Sequence, residues 1–96
     1  MLFHTTHRHT HQSCSAHKPE NLKLFAKAIA SAEDIAVKII GSYTDAPGHT
    51  LYMIVEADSA LQLAQFFDPI LELGDTDIRP VADALALMQQ LQEGVE

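Results

Sequence analysis

The chain has one cysteine, no tryptophan, and six lysine and arginine residues against thirteen acidic ones. A single cysteine, Cys14, excludes an internal disulfide. The shortage of basic residues leaves a formal net charge of −7 with histidine neutral. Such a chain repels phosphate backbones and anionic lipid surfaces, so no nucleic-acid partner and no membrane partner are expected. No run of about 18 apolar residues is present, so nothing is expected to span a bilayer. Met1-Leu2-Phe3 is too short an apolar run for a secretory signal, and His4 to His11 is too polar. The lone thiol and the expected lack of a signal are compatible with a cytoplasmic protein. With four Phe and two Tyr, the core is expected to be aliphatic, built from Leu, Ile, Val, Ala and Met.

What is present is histidine, and it is unevenly placed. Five of the six histidines fall in the first 17 residues, and His7, His9 and His11 alternate. A β-strand sends every second side chain to the same face. On a strand these imidazoles form a row with successive Cα atoms roughly 7 Å apart. Neutral imidazole is the commonest metal ligand, and two at this spacing can close on one ion.

The 96 residues, 47% apolar and 20% charged, suit one globular domain spanning 1–96. Met1 to His11 reads as a strand, with its β-branched Thr5, Thr6 and Thr10. Pro19 and Glu20 suit a helix start, and Leu22, Phe25, Ala28, Ile29 and Ala32 recur at helical spacing, predicting a helix over 19–32. Ile35 to Tyr43 and Thr50 to Asp58 are predicted strands, joined into a hairpin by the turn Asp45-Ala46-Pro47-Gly48. Ser59 and Gln62 form a capping box for a helix to about Asp68, which Pro69 ends. Thr76 to Val81 is a fourth strand. Ala82 to Gln92 is a last helix, with Leu85, Met88 and Leu91 as a core or interface stripe.

The order β-α-β-β-α-β plus a helix is that of the α+β ferredoxin-like, split β-α-β fold. It predicts a four-stranded antiparallel sheet with strand three beside strand two and strand one between strands three and four. Both main helices then cover one face. The other face is left bare at residues such as Ile40, Tyr52 and Ile54, and a homodimer packed sheet to sheet would cover it.

The opening Met1-Leu2-Phe3 strand ends at His9-Thr10-His11. A central Gly48-His49 strand runs into Val55-Glu56-Ala57-Asp58. The acidic strand Asp75-Thr76-Asp77-Ile78-Arg79 ends in Pro80-Val81. In these three places, over roughly residues 1–81, the chain resembles a domain-of-unknown-function family of small dimeric α+β barrel proteins. The resemblance implies that fold and a homodimer. The wider superfamily includes cofactor-free monooxygenases, isomerases, haem proteins and an iron sulfur oxygenase, so it implies no particular activity. Residues 12–17 and the last helix depart from the family pattern.

In the expected topology the end of strand one lies beside His49 and beside Asp75 and Asp77. His7, His9, His11 and His49 are therefore the expected metal ligands, with a carboxylate nearby. Such a set suits zinc, iron, nickel or copper, and an open position on the ion would support catalysis. His4 falls on the opposite face, His17 is expected as a terminus-capping or surface residue, and Cys14 as a lone surface or half-buried thiol. The leading expectation is a small protein with a His-rich transition-metal site, with or without enzymatic activity. The alternatives are a metal-free protein that binds a small-molecule ligand or acts as a cofactor-free enzyme, and a structural dimerisation module.

Overall fold

Alternation along the first strand sorts its residues into two populations. Phe3, Thr5 and His7 are buried beneath helices, and His9 is half-buried there. Leu2, His4, Thr6 and Arg8 point to the other face, where Arg8 is exposed. The computed structural model describes residues 1–94. The elements are β1 (Leu2–His9), α1 (Pro19–Ser31), β2 (Lys38–Asp45), β3 (Thr50–Glu56), α2 (Ala60–Phe67), β4 (Gly74–Val81) and α3 (Ala84–Glu93). Short 3-10 turns lie at Ser15–His17, Glu33–Ile35 and Asp68–Ile70.

The sheet is antiparallel in the order β2-β3-β1-β4, as expected for a ferredoxin-like fold. In the β1–β3 register His7 lies opposite Leu51 and Arg8 opposite Thr50. On the other side His7 lies opposite Thr76 and His9 opposite Gly74. A bulge between Ile39 and Gly41 shifts the β2–β3 register.

Local chemistry accounts for the element ends. Gln62 Oε1 accepts from the Ser59 amide at 3.0 Å, as the capping box requires. Gln62 Nε2 also donates to the Ile35 carbonyl at 3.1 Å, tying α2 to the segment before β2. Pro69 converts the end of α2 into a 3-10 turn. β1 stops at His9, two residues short of the expected end, because the chain turns at once: the Ser13 amide donates to the Thr10 carbonyl at 3.1 Å. β2 starts at Lys38 rather than Ile35, since residues 33–35 form a 3-10 turn closed by Ala36 in the left-handed region.

The core joins Phe3 of β1, Met53 and Val55 of β3, Leu63, Phe66 and Phe67 of α2, and Ile70. The expectation of an aliphatic core needs correction. Three of the four phenylalanines are at most 4% exposed, and they meet at the centre of the layer beneath the helices. A small number of aromatics says nothing about where they go, and phenylalanine is among the residues most often buried. The last helix departs from the core reading in the opposite sense. Every residue from Val81 to Gly94 is exposed, so Leu85, Met88 and Leu91 belong to no core of this chain. Among the described residues no helix is long and apolar enough to cross a membrane.

Candidate metal centre

The site lies where β1 ends, on the helix-facing side of the sheet. Three elements meet there: the last residue of β1, the turn before β3, and the loop that leads from β1 to α1. The His9 amide donates to the His49 carbonyl at 3.1 Å, which brings the two histidines side by side. Their ring centroids are 5.3 Å apart, edge to face.

The turn that carries His49 is built by its own polar groups. Asp45 Oδ1 accepts from the Gly48 amide at 3.1 Å, and the Ala46 carbonyl accepts from the His49 amide at 3.1 Å. Thr50 Oγ1 donates to the Gly48 carbonyl at 2.9 Å. His49 itself sits at a φ of 52°, in the left-handed region that non-glycine residues adopt at a cost. The turn holds it there, and its ring is directed at His9.

Cys14 arrives on a loop pinned by Ser13. Ser13 Oγ donates to the Leu73 carbonyl at 2.7 Å and accepts from the Thr10 amide at 3.2 Å. Asn21 Nδ2 of α1 donates to the Ser13 carbonyl at 3.0 Å. One serine thus fastens the loop to the residue before β4 and to α1. Opposite His9, Gly74 leaves no room for a side chain, because a Cβ there would strike the Arg8 carbonyl.

One donor atom each from His9, Cys14 and His49 lies within 4.8 Å of the others, and all three residues are half-buried. Ligand atoms around a tetrahedral ion with bonds of 2.0–2.3 Å sit about 3.5 Å apart, so donors within 4.8 Å need to close by about 1.3 Å at most. Four ring nitrogens of this corner are also unpartnered. Every buried side-chain polar atom without a hydrogen bond among the described residues belongs to His7, His9 or His49. These atoms are His7 Nε2, both ring nitrogens of His9, and His49 Nδ1. Buried polar atoms are ordinarily paired, and clustered orphans on three neighbouring imidazoles fit a bound cation.

His7 is the same-face neighbour of His9, with ring centroids 5.8 Å apart. It is 1% exposed, packs edge to face on Phe25 at 5.4 Å, and pairs Nδ1 with Thr76 Oγ1 at 2.9 Å. Burial lowers the His7 pKa below the ordinary 6.5, and the charge of His9 lowers it further, while Asp75 opposes both. Burial also lowers that of His9, with His49 acting in the same direction. Both rings are therefore held in the neutral form that binds metals.

The expected ligand set is thus rearranged. The structure brings His9 and His49 together, and sets His7 beside them, outside the group of three donors. His11 is exposed on the turn that follows β1, because the strand ends before reaching it. The expected carboxylate is absent from the group: Asp77 faces the open side of the sheet, where it pairs with Arg8 at 2.9 Å. Asp75 lies opposite Arg8 and is exposed. Cys14, expected as a lone surface or half-buried thiol, is half-buried and takes the third place. Its signal was its position in the short loop following the histidine row, but only the Ser13 clamp directs it inward. His4 lies on the opposite face beside Tyr52, and His17 is exposed at the end of a 3-10 turn.

Fold and site together define a small ferredoxin-like α+β protein with a His/Cys/His group at one corner of its sheet. The chain belongs to the DUF3303 family, a domain of unknown function, whose family model matches residues 1–95. Two solved structures share the fold. A Streptomyces coelicolor A3(2) protein, SCO4226, is 18% identical with a TM-score of 0.63, over 88% of this chain and 99% of that one. An Agrobacterium tumefaciens protein, Atu4242, is 17% identical with a TM-score of 0.51, over 88% of this chain and 96% of that one. No curated protein matches the chain.

Proposed function

We propose that this protein binds one transition-metal ion per chain through His9, Cys14 and His49. The observation that supports this best is the confinement of the orphaned buried side-chain atoms to the histidines of this corner. Two imidazoles and one thiolate make a borderline-soft donor set, which suits zinc or copper better than a hard cation. The thiol releases its proton on binding, and the −7 charge of the chain favours cation uptake.

Three protein donors leave a coordination position for water or a ligand. A groove of about 390 Å³ adjoins His9, with Thr10, Gln12, Ser13 and Asp75 among its lining residues, and gives a small molecule an approach to the ion. Hydrolytic or redox chemistry on the bound ion would extend this reading. The metal-free alternative would use a groove of about 480 Å³ between α2 and β4, lined by Phe67, Leu71 and Ile78 among others, and not the closed core. The apolar gap between sheet and helices, lined by Phe25, Leu51, Met53 and Phe66, measures about 10 Å³, near the volume that admits one water.

The test is metal analysis of protein purified without an affinity tag, followed by titration with cobalt(II). One metal per chain and a thiolate-to-cobalt charge-transfer band that vanishes in Cys14→Ser are expected. Protein that neither carries nor takes up metal would overturn the proposal.

A further inference from the structure

We infer that α3 is an exchanged arm that seats on the open sheet face of a second copy of this chain. The helix is ten residues long, and Asp83 caps it by accepting from the Leu85 and Ala86 amides at 2.9 and 3.1 Å. A helix this short is marginal in water without tertiary packing, yet every one of its residues is exposed. Leu85, Leu87, Met88 and Leu91 are 79%, 46%, 55% and 62% exposed. The radius of gyration is 15.6 Å, against about 12.5 Å for a compact chain of this length. The longest dimension is 57 Å. This is the shape of a body with a projecting arm.

The same chain carries a receiving surface. On the open side, Ile40, Tyr43, Tyr52 and Val81 are 52%, 68%, 39% and 42% exposed. Together with the four residues of the helix they expose on the order of 900 Å² of mostly apolar surface per chain, where a standard stable interface takes about 800 Å² per partner. Charge is compatible as well. Residues 84–92 contain no charged side chain, so this stretch of the helix, which precedes Glu93, adds no repulsion between two copies of a chain with net charge −7. The connector from β4 to α3 is Ala82 and Asp83 alone, with Asp83 committed to the cap, which leaves little slack for the helix to return across its own strand. In a two-fold dimer each copy gives one arm and receives one, and both apolar surfaces are covered.

The inference stands apart from the metal site, and its test separates the two. Sedimentation equilibrium should show the wild-type chain as a dimer. Leu85→Glu/Leu91→Glu should weaken the dimer by roughly a hundredfold or more, since each substitution counts twice across the two-fold axis. Because Leu85 and Leu91 are exposed in their own chain, that variant should keep the wild-type circular dichroism and melting curve of the body. In a Cys14→Ser background, a mixture of Met88→Cys and Tyr52→Cys chains should be joined between chains by a short bis-maleimide. A monomeric wild type, or a dimer indifferent to the two glutamates, would overturn the inference. So would cross-linking within one chain carrying both cysteines, which would place the arm on its own sheet. Cross-linking of Met88→Cys only to itself would place helix on helix, and would overturn it too.

Discussion

His4 and His9 are five residues apart on one strand and live in different chemistry. His4 is on the open face, half-buried beside the exposed Tyr52. His9 is on the helix-facing side, with both ring nitrogens buried and unpartnered, and with His7, His49 and Phe25 around it. The same contrast holds for their neighbours. Arg8 and Asp77 pair at 2.9 Å on the open side with both side chains more than half exposed, an interaction worth little. The pair His7 and Thr76, one residue earlier on each strand, is turned the other way and partly buried. Strand parity alone separates the open face of the sheet from a candidate metal centre.

The largest expected effect breaks this contrast directly. His9→Ala or His49→Ala should reduce bound metal from one equivalent per chain to near zero, measured by elemental analysis after dialysis. His4→Ala should leave it unchanged. Equal losses in His4→Ala and His9→Ala would show that the histidines bind without regard to face, as a flexible tail would.

Gly74→Ala tests the backbone beneath the site. A methyl group there meets the Arg8 carbonyl, a backbone atom with nowhere to go, so β4 has to part from β1. Overpacking of this kind costs about 1–3 kcal/mol. Chemical denaturation should show a loss in that range, together with weaker metal binding. A variant of wild-type stability would mean that the start of β4 is loosely held.

Much of this contrast is legible in the sequence, and the part that is not has a physical cause. The alternating apolar, threonine and histidine residues of 1–9 fix which side of β1 faces the helices, because parity is a local property. The order of elements then fixes that His49 comes near the end of β1. Three things are not local. The strand stops at His9 because Thr10 and Ser13 close a turn, so His11 leaves the row. Cys14 turns inward because Ser13 reaches the Leu73 carbonyl, 60 residues away in the chain. Asp75 and Asp77 fall on the wrong parity for the site once β4 is registered against β1, and that register shows only when the strands are paired.

Acid should sharpen the contrast by a smaller amount. In the unfolded chain the imidazoles of His7 and His9 protonate near the ordinary 6.5, whereas burial lowers both in the folded chain. Below about pH 6.5 the unfolded state therefore binds more protons. Stability is full above that value and falls as pH drops toward the lowered folded values. Thermal melts of metal-free protein between pH 8 and pH 5 should show the decline, and it should be reduced in His7→Gln. A metal-free melting temperature that is flat across this range would mean that the two rings are open to solvent. Metal retention should fall over the same range, because protons compete for the same nitrogens.

The smallest effect isolates a backbone from its side chain. His49→Ala and His49→Gly both remove the imidazole, so both should lose the metal. They differ in what they ask of the chain, because residue 49 has a φ of 52°. Alanine keeps the left-handed penalty, while glycine removes it and gives the unfolded chain more freedom. The penalty is the larger of the two contributions, so metal-free His49→Gly should exceed His49→Ala in stability by about 1 kcal/mol. Equal stability of the two would show that the turn relaxes out of the left-handed region when no ring is held against His9. The strain would then belong to the contact between the histidines, not to the turn that carries one of them.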